Sequence, residues 1–128
     1  QGNRGAQYQK MDRSRVLIIG ATGNLGYHLA KASIEASHPT FALVRDSAFD
    51  DPQKSHKIRS LSDAGAVILK GSLEGQKSLV EALKQVDVVI CSIPTRQALA
   101  QQNLIRAIKL AGSIKVYLSL SLVLKAVI

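Results

Sequence analysis

Cysteine is nearly missing from this chain, with Cys91 standing alone. A single thiol excludes an internal disulfide framework and fits a reducing compartment. Histidine is almost as scarce, and His28, His38 and His56 show none of the spacings that gather a metal ion, so no metal is expected. No apolar run is long enough to cross a bilayer. The longest, from Val116 to Ile128, is interrupted by Ser119, Ser121 and Lys125. No basic start followed by an apolar core and a small-residue cleavage site opens the chain, which leaves secretion unsupported and the cytoplasm as the default expectation. Acidic residues are few, 9 against 17 lysines and arginines, for a net charge of +8. That surplus raises the question of nucleic acid. The basic residues, however, are dispersed from Arg4 to Lys125, and aromatic residues, 4% of the chain, do not interleave with them. Nucleic acid and membrane are therefore not expected as partners, and a multiply anionic cofactor accounts for part of the charge equally well.

What remains is enough for one soluble domain, since 128 residues with 46% hydrophobic content can bury a normal core. Residues 1–13 are polar, glutamine-rich and without apolar period. They read as a disordered leader ahead of a natural start at Met11, leaving 14–128 as the folded domain.

That domain is organised around one stretch. Val16 to Ile19 is an apolar run without alternation, followed at once by Gly20, Ala21, Thr22, Gly23, Asn24, Leu25 and Gly26 and then by a helical period. The pattern is a buried parallel strand turning sharply into a helix. Gly20 lets the chain turn, Gly23 removes a side chain that would hold a phosphate off the backbone, and Gly26 lets the helix lie close on the strand. The helix N-terminus then offers unpaired N–H groups and the positive end of its dipole, which suits a dinucleotide pyrophosphate. A tight strand-to-helix turn without a ligand is the bland alternative, and the spacing here is G-x-x-G-x-x-G rather than the commoner G-x-G-x-x-G.

The rest of the chain repeats the strand-helix alternation. The first helix spans Asn24 to Ser37 with Leu25, Leu29, Ala32 and Ile34 on its apolar side, and His38-Pro39 ends it. A second strand covers Phe41 to Arg45. Asp51 caps a second helix with Pro52 at its first position, which runs past Ile58 and Leu61 to Gly65. Ala66 to Leu73 is a third strand, Gly75 to Gln85 a third helix and Val86 to Ile93 a fourth strand, apolar on both faces through Val88 to Cys91. Ser92, Ile93 and Pro94 close that strand at the edge where open parallel sheets bind ligands. Thr95 can cap a last helix carrying Leu99, Ile105 and Ile108 inward to a stop at Gly112, after which a fifth strand begins at Ile114. The fold class is α/β: a Rossmann-type doubly wound parallel sheet, ending after about five strands.

Arg45 stands about twenty residues beyond the last glycine, where such a fold reads the adenosine ribose. A carboxylate there would bind the 2′-hydroxyl and repel a 2′-phosphate, whereas a guanidinium offers the phosphate a planar fork of donors. The chemistry favours NADPH over NADH, with the neighbouring Asp46 as the argument against. Lys54 falls in the first turn of a helix, where a cation opposes the dipole. The same 2′-phosphate would compensate it, and a solvated surface lysine is the plain alternative.

Acid-base chemistry is harder to find. Tyr27 and Lys31 have the Tyr-x-x-x-Lys spacing of short-chain dehydrogenases, but they sit directly behind the phosphate turn and read as surface and packing residues. Cys91 lies in an apolar strand with no histidine nearby, and Ser92 has no visible base. No catalytic residue is assigned.

Gly20 to Gly26, His38 to Arg45, Lys54, Gly71-Ser-Leu73 and Ser78 to Ile90 together resemble the N-terminal half of the plant isoflavone reductase-like family. This is a branch of the NmrA-like, atypical short-chain dehydrogenases that includes pinoresinol-lariciresinol and phenylcoumaran benzylic ether reductases. The resemblance covers about Ser14 to Tyr117. It implies NADPH-dependent reduction of phenylpropanoid-derived small molecules (lignan, phenylcoumaran or isoflavonoid), with the glycine turn on the pyrophosphate and Arg45 and Lys54 on the 2′-phosphate. Beyond Lys115 the family continues with a motif that Val116 to Ile128 does not match, and its catalytic lysine and substrate half lie further on. The resemblance therefore implies a truncated reductase, inactive alone. The NmrA-like kinship also allows a second expectation, a non-catalytic dinucleotide-sensing or interaction module.

Overall fold

The computed structural model describes residues 14–93 and 98–120. The expected leader at 1–13, Pro94, the Thr95 cap and the last eight residues lie outside that set. Strand β1 (Val16–Ile19) is buried along its whole length. Its side chains divide between two cores. Leu17 and Ile19 join Leu79, Leu83, Leu104 and Ala107 on one face, while Val16 and Ile18 join Ala30, Ile58 and Leu61 on the other. A strand apolar on both sides is stable only with a layer above and a layer below, and each such aliphatic side chain is stabilised by about 1.5–3 kcal/mol on burial.

Strands β2 (Thr40–Val44), β3 (Val67–Lys70), β4 (Val88–Cys91) and β5 (Val116–Ser119) complete a sheet of order β3-β2-β1-β4-β5. Every neighbouring pair is parallel, with Ile19 opposite both Leu43 and Cys91. Helices α1 (Asn24–Glu35) and α2 (Pro52–Asp63) serve one core, and α3 (Gln76–Leu83) and α4 (Ala98–Ala111) the other. This is the doubly wound α/β arrangement read from the sequence, and its strand order reverses between β1 and β4. Among the described residues no helix is long and apolar enough to cross a membrane.

Several local readings hold and several do not. Asp51 caps α2 by accepting from the N–H groups of Gln53 and Lys54 at 2.9 and 3.2 Å, with Pro52 inside the first turn. Gly65 and Gly112 follow α2 and α4 with φ of +113° and +71°. Helix α1, by contrast, stops at Glu35, short of His38-Pro39. Ser37 takes a left-handed φ of +68°, its N–H donates to Ile34, and that of His38 donates to Ser33. This is a Schellman closure made without glycine. The buried side of α1 is Gly26 and Ala30 rather than Leu25, Leu29 and Ala32, and Leu25 is 46% exposed. Close contact with the strand leaves room only for small residues there. In α4 the inward face is Leu104 and Ala107, with Ile108 partly buried. Leu99 and Ile105, expected inside, are exposed because they lie on other sides of the helix.

Strand β4 also corrects its reading. Val89 and Cys91 are buried, but Val88 and Ile90 are only half-buried, and beyond them Val116 and Leu118 of β5 are exposed. Helix α1 lies over β1 and β2, and α2 reaches β3, so among the described residues that face of the sheet is covered more thinly at its β4-β5 end.

Candidate cofactor-binding site

Each of four strands delivers its next residue to one place. Gly20 follows β1, Arg45 follows β2, Gly71 follows β3 and Ser92 follows β4, and all four line a single cleft of about 280 Å³. The cleft thus sits at the carboxyl edge of the sheet and spans the point where the strand order reverses, the place where open α/β sheets bind ligands.

Its floor is the glycine corner. Gly20 has a φ of +91°, and a Cβ added there would come within 3.0 Å of the Ser92 carbonyl oxygen. At Gly26 an added Cβ would stand 2.0 Å from the Gly20 oxygen, so no side chain is admissible without moving α1 off the strand. The N–H of Gly23 donates to that same oxygen at 3.0 Å. Gly23 is the N-cap of α1 and brings no capping side chain, so the first-turn N–H groups have no intrahelical acceptor and receive none from the cap. The corner therefore meets an anion with backbone donors and the positive end of a helix dipole.

Of the residues singled out in the sequence, Gly20, Thr22, Gly23, Arg45, Lys54, Ser92 and Ile93 line the cleft together. Ala21, Asn24, Leu25 and Gly26 do not. Ala21 is buried in the core under α1 and α2, and Gly26 is pressed on Gly20. Asn24 is turned toward Lys57, and Leu25 is exposed. Pro94 is outside the described residues. Asp46 borders an adjoining recess with Lys70 and Ser78 rather than the cleft itself. Ser47, Gly71 and Ser72 also line it, beside the apolar Ile19, Leu43, Val44, Ala48 and Leu73; Gly71 and Ser72 belong to the stretch that carries the family resemblance, whereas Ser47 gives no signal in the sequence.

Among the described residues, two cations, Arg45 and Lys54, and no carboxylate form the charged part of the lining. Glu74 stands just beyond it, with an oxygen 3.9 Å from Arg45. The side chains able to exchange a proton are elsewhere. Tyr27 Oη lies 2.7 Å from Ser60 Oγ, and the ring sits beneath the Lys31 and Lys57 ammonium groups at 5.7 and 5.8 Å, between α1 and α2. Cys91 is buried, and that burial pushes its thiol pKa up, as befits a packed thiol rather than a nucleophile. Hydroxyls of Thr22, Ser47, Ser72 and Ser92 are the polar side chains left in the cleft. The arrangement can hold an extended polyanion, and among the described residues its only charged side chains are the cations Arg45 and Lys54.

The sequence model of the NmrA-like family matches residues 12–126. The chain belongs to the NmrA-like family. Among its relatives is the probable pinoresinol-lariciresinol reductase 3 of Arabidopsis thaliana, 55% identical over 107 residues, which are 84% of this chain and 33% of that protein. A solved structure described as AtPrR2 with NADP+ and (+)-pinoresinol is 35% identical, with a TM-score of 0.78 over 83% of this chain and 36% of that one. The binary complex of leucoanthocyanidin reductase and NADPH from Vitis vinifera is 36% identical, with a TM-score of 0.75 over 80% of this chain and 34% of the other. This NmrA-like chain spans about a third of the length of the curated relatives it matches. The family match runs past Tyr117, where the resemblance legible in the sequence ends.

Proposed function

We propose that the cleft binds NADPH and that the chain is the cofactor-binding portion of an isoflavone reductase-like oxidoreductase. The observation that carries this reading is the meeting of the bare backbone corner with Arg45 and Lys54 in one cleft. The residues fit the cofactor. Gly20, Thr22 and Gly23, with the first turn of α1 behind them, take the pyrophosphate, and Arg45 and Lys54 take the 2′-phosphate. Ser92 and Ile93, which follow β4 across the strand reversal, would take the remainder of the dinucleotide. The bound dinucleotide supplies a hydride. The similar proteins named for pinoresinol, lariciresinol and leucoanthocyanidin support a phenylpropanoid-derived small molecule as the acceptor in the whole protein.

Arg45 and Lys54, the charged side chains among the described lining residues, are both taken up by the 2′-phosphate, so these residues bind the dinucleotide without supplying a proton to the acceptor. Hydride transfer needs nicotinamide, acceptor and proton source in near-attack geometry, and only the adenosine end has residues for it here. The same lack favours a second reading, a dinucleotide-sensing module. Calorimetric titration with NADPH and NADH tests the binding, with NADPH favoured on the order of 10- to 100-fold through charge-assisted bonds to one phosphate. Equal affinities would remove the 2′-phosphate assignment. Steady-state NADPH oxidation with a lignan separates the two readings, since the reductase reading requires it of a full-length relative and the sensing reading does not.

A further inference from the structure

Lys57 lies on α2, outside the cleft, with its ammonium aimed at the back of the glycine corner. Nζ donates to the Thr22 carbonyl at 3.1 Å and to Asn24 Oδ1 at 3.2 Å. The side chain is half-buried and passes over the Tyr27 ring. Holding a lysine in one conformation costs rotamer entropy, so these bonds must return something. A staple between α1 and α2 is not what is missing, because Tyr27 and Ser60 already join the two helices at 2.7 Å.

What Lys57 does instead is fix one peptide plane. The unit between Thr22 and Gly23 is gripped at both ends, its carbonyl by Lys57 and its N–H by the Gly20 oxygen at 3.0 Å. With that plane fixed, the direction of the N–H groups that follow is fixed too. Asn24 is the second part of the device. Asparagine at a helix start competes for nearby backbone N–H groups through its side-chain carbonyl. Here that carbonyl accepts from Lys57 at 3.2 Å and is drawn away from the first-turn N–H groups.

We infer that Lys57 is a positioning residue for pyrophosphate binding, acting through Thr22 and Asn24 without touching the ligand. The inference rests on the NADPH reading above. It sets Lys57 apart from Arg45 and Lys54, whose role is confined to the 2′-phosphate.

Three ligands separate these roles: NADPH, NADH, and adenosine 2′-monophosphate, which carries the 2′-phosphate and no pyrophosphate. In the full chain, Lys57→Met is expected to weaken NADPH and NADH alike, by about ten-fold, and to leave adenosine 2′-monophosphate unchanged. Ser60→Ala, which removes the helix staple and keeps Lys57, is expected to lower the melting temperature without changing the ratio among the three ligands. Unchanged dinucleotide affinity in Lys57→Met overturns the inference, and so does a parallel loss of all three ligands, which would mean a general loosening of the fold. Lys57→Gln serves the same comparison if Lys57→Met does not fold. A native chain that binds none of the three overturns the NADPH reading itself, a result distinct from native binding that Lys57→Met leaves intact.

Discussion

The guanidinium of Arg45 stands 3.9 Å from the carboxylate of Glu74 at the mouth of the cleft, and both side chains are largely in solvent, 51% and 73% exposed. A pair that open to water adds little to stability, so the arginine is not committed to it. Glu74 acts as a weak competitor for the position a 2′-phosphate would take. Arg45→Ala is therefore expected to weaken NADPH about 10- to 100-fold and NADH hardly at all, on the scale of charged hydrogen bonds. Glu74→Gln should tighten NADPH by up to about five-fold, as an exposed pair allows, and lose that gain in high salt. Calorimetry at two ionic strengths reads both, and a gain for NADH as large as for NADPH would show that Glu74 does not compete at Arg45.

Gly26 and Gly65 make a matched test of the corner. Both lack a side chain, but a Cβ at Gly26 would stand 2.0 Å from the Gly20 oxygen, whereas at Gly65 it would meet nothing within 4 Å. Gly26→Ala is expected to cost about 1–3 kcal/mol by overpacking and to abolish dinucleotide binding, because α1 must leave the strand. Gly65→Ala carries only the strain of its positive φ, about 1 kcal/mol, with binding intact. Urea midpoints and titrations on the two variants decide it.

Lys54 and Asp51 share a helix start with opposite consequences. Asp51 accepts from two first-turn N–H groups, one of them that of Lys54, so Asp51→Ala should lower stability by about 1 kcal/mol. Lys54 opposes the helix dipole where it stands. Lys54→Ala should leave stability unchanged or raised by a few tenths of a kcal/mol while weakening NADPH selectively. A drop in melting temperature for Lys54→Ala would show that the lysine serves the helix instead.

Alkaline pH should lower the stability of the chain through buried Cys91 and half-buried Tyr117. Burial pushes the Cys91 thiol up, and it pushes the Tyr117 phenol up as well, with Cys91 adding to that rise. Between the unfolded and the raised folded pKa the native chain keeps protons that the unfolded chain has lost. Stability is thus complete below about pH 8.5 and falls as pH climbs through the thiol and then the phenol range. Denaturation midpoints at pH 7, 9 and 10 should show this slope, and Cys91→Ala should flatten it. Tyr117 Oη is also buried, facing Cys91 and Ser119 without a hydrogen bond of full geometry among the described residues. Tyr117→Phe should therefore be neutral or stabilising at pH 7.

The legible parts of the molecule are those whose cause is local. Val16 to Ile19 announces a buried strand because consecutive apolar residues do not alternate. Asp51-Pro52 and Gly65 mark helix ends by their own conformational chemistry. Ser37 hides its role because nothing about a serine signals a left-handed φ, and the inward face of α4 was obscured by leucines and isoleucines on more than one side of the helix. The site divides in the same way. Its glycines and Arg45 could be placed by spacing along the chain. Lys57 could not, because its two acceptors lie 35 and 33 positions away and only the packing of α2 beside α1 brings them together. Glu74, contributed by the connection that follows β3, was invisible for the same reason.

Strand β1 is anchored in both cores and hydrogen-bonded on both edges, and the glycine corner is its direct continuation. A segment so placed opens only when the whole sheet does, so its amides belong with the slowest to exchange with deuterated solvent. The donors at its end are consequently ordered before any ligand arrives. Little conformational freedom is left for binding to remove at that spot.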